Sequence, residues 1–127
     1  MKALGVGVDI IQNSRIKKSL SNKDFLHRIF SNSEILNSKK TINKTQYFSK
    51  RFAAKEAFSK ALGTGFRKGL NFNDISIVND RYGKPFIKMN KKLKNIIKKR
   101  FKTSKVNIYL SLSDEKKHSI AFVVLSK

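Results

Sequence analysis

The chain has 127 residues, 29 Lys and Arg against 8 Asp and Glu, a formal charge of +21 and no cysteine. That length suits one core and not two, and the lack of cysteine excludes disulfides, thiolate zinc sites and thiol nucleophiles. Ten Phe within a hydrophobic share of 39% argue for a folded protein, and no apolar run approaches the roughly 18 residues of a membrane span. The N-terminus enters a strand pattern at once and shows no secretory signal, so a soluble, reducing, cytoplasmic setting is expected. Only six of the 29 cations are Arg. The charge either reflects a lysine-rich genome composition or suits a polyanionic partner; by itself it does not choose.

Residues 3–11 alternate Leu4, Val6, Val8 and Ile10 against Gly5, Gly7 and Asp9, the period of a strand. Asp9 therefore shares a face with two glycines, and a face without side chains lets something bulky approach the backbone. Residues 13–30 turn helical through Ile16, Leu20, Phe25, Leu26, Ile29 and Phe30. Ser31 to Glu34 reads as a capping box opening a further short helix, and residues 37–46 as a polar surface loop.

The strongest helix is expected from Thr45 to Leu62, with Gly63 as its C-cap. At about 100° per residue, Tyr47, Ala53, Ala54, Ala57, Phe58 and Ala61 form one apolar arc. Glu56 and Lys60 stand one turn apart on another side, an i,i+4 ion pair in the plainest reading. Arg51, Lys55 and Ser59 form a second polar ridge. Phe48 and Phe52 fall outside the arc, either to pack under a flanking element or to contact a partner.

The loop Gly63-Thr64-Gly65-Phe66-Arg67-Lys68-Gly69 follows, whose backbone N–H groups suit an anion. Strands are expected at 72–78 and 85–89, joined through residues 79–84, then a helix on Leu93, Ile96, Ile97 and Phe101. A second hairpin, 106–113 and 119–125, turns at Asp114-Glu115-Lys116-Lys117-His118. The order β-α-α-β-β-α-β-β predicts an α+β domain over residues 1–127, an antiparallel sheet packed with helices.

Neither a serine–histidine–acid nor a cysteine–histidine arrangement can be built, and His27 and His118 read as surface residues. Without a histidine cluster a transition metal is not expected. Carboxylates beside cations and glycines remain, the material of a magnesium–phosphate site.

Gly5-Val6-Gly7-Val8-Asp9-Ile10 with Arg15-Ile16, Arg51-Phe52-Ala53-Ala54-Lys55-Glu56-Ala57-Phe58-Ser59-Lys60-Ala61 with Gly63-Thr64-Gly65, Gly83-Lys84-Pro85, and Leu110-Ser111-Leu112-Ser113-Asp114-Glu115 occur in this order. They resemble the signatures of the holo-acyl-carrier-protein synthases, with the 4'-phosphopantetheinyl transferase fold, over essentially the whole chain. The resemblance implies transfer of 4'-phosphopantetheine from coenzyme A to a serine of apo-acyl carrier protein, leaving adenosine 3',5'-bisphosphate and serving fatty acid biosynthesis. It further implies Mg2+ on Asp9 and Glu56, with Lys60 neutralising charge on the pyrophosphate. The serine proton then passes either to a metal-bound water or to Glu56. Arg51, Lys55, Ser59, Lys60, Gly63, Thr64, Gly65, Lys84 and Pro85 become candidates for binding coenzyme A. Arg15, Phe25, Arg28 and Phe52 become candidates for docking an acidic acyl carrier protein. Residue 114 is His in some members and Asp in others, so Asp114 is given no role. Family members are homotrimers with active sites between subunits.

A small nucleic-acid-binding domain is the competing reading. It calls for base-stacking aromatics in a sheet motif or a recognition helix, neither of which is evident, and has no use for the carboxylate motif. A synthase acting on another carrier domain, such as one in a polyketide or peptide synthase, is a third.

Overall fold

A computed structural model of the chain describes every residue except Lys68, one of the two cations of the glycine loop, which lies outside the described residues. Strand β1 (Ala3–Gln12) leads into helices α1 (Asn13–Ser19), α2 (Lys23–Ile29), α3 (Asn32–Ser38) and α4 (Lys44–Leu62). A 3-10 turn (Phe72–Asp74), strands β2 (Ser76–Asn79) and β3 (Pro85–Lys88), helix α5 (Lys91–Phe101) and strands β4 (Asn107–Asp114) and β5 (His118–Ser126) complete it. The α+β class is as expected. The order departs from β-α-α-β-β at the start: among the described residues four helices precede β2, because the run 13–30 is split in two and the short helix after Ser31 stands by itself.

Local capping explains the difference. The apolar run 13–30 breaks where Asn22 accepts the Phe25 N–H and starts α2 afresh. Ser31 and Glu34 close the predicted capping box and make α3 a helix of its own. Asn43 then caps α4 within the segment read as loop. The strand expected from Phe72 begins only at Ser76, because the Asp74 carboxylate accepts the Asn71 N–H and winds 72–74 into a 3-10 turn.

Strand β5 is the centre of an antiparallel sheet ordered β1-β5-β4, and β2 pairs with β3 separately. Helix α4 lies across β1 and β5. The glycine face of β1 is its seat: a Cβ on Gly5 would stand 1.8 Å from the Ala61 carbonyl oxygen, and one on Gly7 1.8 Å from that of Ala57. The bulky element that a bare strand face admits is the protein's own helix.

Of the two readings of Phe48, packing under a flanking element is the one the structure shows. The side chain is buried, with its ring 4.6 Å from Phe30 and 5.1 Å from Tyr47, because Phe30, at the end of α2, packs against that side of α4. The opposite face of the sheet is uncovered. Val6, Val8 and Ile10 of β1, Tyr109 of β4 and Ile120 and Phe122 of β5 are all exposed there, and the strand register places them side by side.

Candidate active site between the first strand and the central helix

Seating α4 on the glycine face carries three side chains together. Asp9 follows Gly7 on the same face of β1, and Glu56 and Lys60 project from α4 beside it. Lys60 Nζ donates to Asp9 Oδ1 at 3.1 Å and to the Val8 carbonyl at 3.0 Å. The i,i+4 ion pair that spacing alone allows between Glu56 and Lys60 is not formed; Lys60 reaches across to the strand instead. The Glu56 carboxyl is held above its usual range, first by burial, then by the nearby negative charge of Asp9, with Lys60 opposing both.

Two carboxylates close enough to couple form a site that attracts a cation, and the Lys60 ammonium already satisfies one of them. The donors are hard oxygens, and they number two: among the described residues no group of three or more His, Cys, Asp or Glu gathers, here or elsewhere. One or two carboxylates are what magnesium usually takes from a protein, with phosphate and water completing its shell. Asp9 and Glu56 fit that ion.

Several residues read as coenzyme A contacts have other work. Lys55 is corrected: its side chain is wholly buried and bonds Glu34 Oε1 at 2.7 Å and the Ile75 carbonyl. Burial pushes its ammonium pKa down, and Glu34 opposes the fall. Glu34 also accepts the Ser31 N–H at 2.9 Å and the Ile77 N–H at 3.1 Å, so the pair ties α3 and β2 to α4. Only its capping role could be read from spacing, since its partners come from far along the chain.

Ser59 is corrected likewise. It is buried, and its hydroxyl donates to the Glu56 carbonyl at 2.7 Å. The glycine loop does not hold its first N–H groups free for an anion: Gly63 donates to the Ser59 and Lys60 carbonyls and Gly65 to that of Ser59. Gly63 is the expected left-handed C-cap, at φ 86°, and Arg100 Nε donates to the Leu62 carbonyl at 2.9 Å beside it. Thr64 lines a groove with Lys92, Ile96, Lys99 and Arg100.

Arg51 belongs to a second group. Its side chain is buried beside Tyr47, donating to the Tyr47 carbonyl at 3.2 Å and to Asn79 Oδ1 at 3.4 Å, while its Nε has no partner. With Lys40, Lys50, Gln46 and Asn79 it lines a cavity of about 510 Å³. Asn79 pairs with Pro85 across the β2–β3 hairpin, which brings Lys84 and Pro85 to the same neighbourhood. Arg51 precedes Glu56 by five residues, about 140° around the helix, so cavity and carboxylates occupy different sides of α4.

Arg15 and Arg28 are exposed, and Phe25 is half-buried with its ring 6.2 Å from Phe30. Phe52, offered both as a packed residue and as a docking contact, is packed and half-buried. It stacks on Phe72 at 5.6 Å, which stacks on Phe66 at 3.8 Å, so it packs beneath the glycine loop. Asp114 pairs with Lys50 at 3.4 Å, and His118 Nδ1 lies 2.8 Å from Glu115 Oε1. Sequence reasoning missed Asn13, whose buried amide donates to the Glu115 and Lys116 carbonyls at 3.2 Å and holds the β4–β5 turn. Asn13 carried no signal, because its partners lie about a hundred residues away.

A sequence profile described as the 4'-phosphopantetheinyl transferase superfamily matches residues 5–123. A holo-[acyl-carrier-protein] synthase of Pelagibacter ubique is 61% identical over 127 residues, covering 100% of this chain and 99% of its own. The chain belongs to the holo-[acyl-carrier-protein] synthases of this superfamily. The synthase of Ehrlichia chaffeensis is 47% identical over 96% of this chain and 95% of its own.

Among solved synthases, that of Neisseria meningitidis superposes with a TM-score of 0.87 at 35% identity, covering 98% of this chain and 99% of that one. The Bacillus anthracis synthase in complex with CoA (3',5'-ADP) has a TM-score of 0.81 at 35% identity, covering 99% and 98%. Fold and family thus agree with the resemblance drawn from the motifs.

Proposed function

We propose that the chain transfers 4'-phosphopantetheine from coenzyme A to a serine of apo-acyl carrier protein, with Mg2+ held by Asp9 and Glu56. The observation that carries this reading is the meeting of Asp9, Glu56 and Lys60 where β1 and α4 touch. Phosphoryl transfer asks for positioning and charge neutralisation more than covalent help. Bound magnesium supplies neutralisation on the pyrophosphate.

The chain's own residues do the rest. The serine oxygen forms a bond to the phosphorus next to the pantetheine, and the bond from that phosphorus to the bridging oxygen breaks. Adenosine 3',5'-bisphosphate leaves with that oxygen. Lys60, half-exposed on α4, donates to the phosphate oxygens as charge gathers on them. Glu56, or a water held beside it, accepts the serine proton.

The cavity beside Arg51 suits a further phosphate of coenzyme A, because a guanidinium and lysine ammonium groups line it and attract phosphate oxygens. Its place on the far side of α4 supports a site completed by a second copy. The uncovered apolar sheet face supports the same assembly, with the homotrimer as the form the family resemblance implies. Arg15, Arg28 and Phe25 offer an acidic carrier protein a basic, part-apolar surface. Among the described residues no helix is long and apolar enough to cross a membrane. The reaction belongs in the cytoplasm, where it serves fatty acid biosynthesis.

One assay tests the proposal: purified protein with coenzyme A, magnesium and apo-acyl carrier protein, read by intact mass. A carrier that gains one phosphopantetheine group is the expected product. An unchanged carrier mass overturns the function; transfer surviving both Asp9→Ala and Glu56→Ala overturns the metal site.

A further inference from the structure

Lys60 touches one of the two carboxylates meant for the metal. Its ammonium bridges Asp9 Oδ1 at 3.1 Å and the Val8 carbonyl at 3.0 Å, which binds the last turns of α4 to the edge strand. The Asp9 side chain is 17% exposed and that of Lys60 53%, so the carboxylate is the sheltered partner and the ammonium the one free to swing away. An ammonium and a divalent cation on the same carboxylate repel each other. A metal ion arriving alone therefore has to work against this bond. A pyrophosphate changes the balance, because it offers Lys60 several oxygens outside the carboxylate pair.

Resting on the metal reading above, we propose that Lys60 closes the Asp9–Glu56 pair to a bare metal ion and is drawn off Asp9 by the pyrophosphate of coenzyme A. Metal and coenzyme A then bind with positive coupling, each raising the affinity for the other by the same factor. The chemistry gains order: a bare ion seldom occupies the site without the substrate it serves. It also explains why the lysine one turn beyond Glu56 crosses to the strand instead of pairing along its own helix.

The test titrates the full chain with Mn2+ alone and then with coenzyme A present, following water-proton relaxation, with no carrier protein in the cell. Lys60→Met is expected to bind Mn2+ alone about five-fold more tightly than the wild type, the scale of a lost partly exposed ion pair. Its gain on adding coenzyme A is expected to shrink, whereas Lys60→Arg, which keeps the cation, stays near the wild type. Lys60→Gln replaces Lys60→Met if circular dichroism shows that variant unfolded. If Mn2+ alone binds Lys60→Met no more tightly while Asp9→Asn removes Mn2+ binding, the metal site stands and the closing role of Lys60 is overturned. If Asp9→Asn with coenzyme A binds Mn2+ as the wild type does, the metal reading fails and the closing role with it.

Discussion

Gly7 of β1 and Ala57 of α4 approach so closely that a single methyl group on Gly7 would stand 1.8 Å from the Ala57 carbonyl oxygen. The obstacle is helix backbone, which cannot swing aside as a side chain would. Gly7→Ala is expected to destabilise the fold by about 3 kcal/mol or more through overpacking, measured by urea unfolding. Gly65, at φ 63° with nothing near its missing Cβ, provides the contrast. Gly65→Ala meets only backbone strain and costs about 1 kcal/mol. Equal losses in the two variants would show that α4 does not lean on the glycine face.

The Glu34–Lys55 pair is wholly buried, so each charge depends on the other. Lys55→Met alone strands a carboxylate in the core and is expected to cost about 3–5 kcal/mol. The double variant Glu34→Gln with Lys55→Met removes both charges and should recover much of that loss. Chemical denaturation of the four proteins in this cycle decides it; a double variant as unstable as the sum of the singles refutes the pairing.

The pH dependence of stability follows from Glu56, with chelator present to keep metal out. Burial and the charge of Asp9 raise its folded pKa above 4.5, the value of the free side chain. Between 4.5 and the raised value the folded chain binds more protons than the unfolded one, so ionising Glu56 weakens the fold as pH rises through that window. Glu56→Gln removes this loss. It should match the wild type below the window and exceed it in stability at neutral pH, while losing transfer by at least about a hundred-fold as a metal ligand. A stability difference that does not change with pH contradicts the assignment.

The exposed strip formed by Val8, Phe122 and their neighbours predicts an interface between copies. Val8→Glu with Phe122→Glu places charges on that strip and should raise the dissociation constant between copies by at least about a hundred-fold, leaving a 14.6 kDa species in sedimentation. Transfer should fall with it, since the carboxylates and the Arg51 cavity lie on different sides of α4. Full activity in a monomer would place both groups in one chain's site.

Arg15 and Arg28 are exposed on α1 and α2 and form no ion pair within their own chain among the described residues. Arg15→Glu is expected to raise KM for the carrier protein about ten-fold while leaving KM for coenzyme A unchanged. The wild-type KM for the carrier should also climb with salt. An unchanged carrier KM removes Arg15 from the docking surface.

Local rules made much of this protein legible in its residues. The period of two in 3–11, the apolar arc of α4, the capping box at Ser31 and Glu34 and the glycine stop at residue 63 each concern neighbours within a turn or a strand. Ordered motifs then named the family and made Asp9 and Glu56 its metal candidates. Local rules also left some residues open or misread for the same reason. Lys55, Phe48 and Phe52 sat among polar positions on a helical wheel, but a wheel describes one helix and not what packs on it.

Which partner each group found was settled by tertiary structure alone. Lys60 pairs with Asp9, 51 residues away, in place of Glu56 one turn along its own helix. Lys55 meets Glu34, and Asn13 holds a turn about a hundred residues distant. The sequence by itself determined the family, the first strand and the extent of the central helix, and it singled out Asp9 and Glu56 as candidates. Their meeting needed α4 to settle on a strand face with no side chains, a contact that spacing along the chain does not encode.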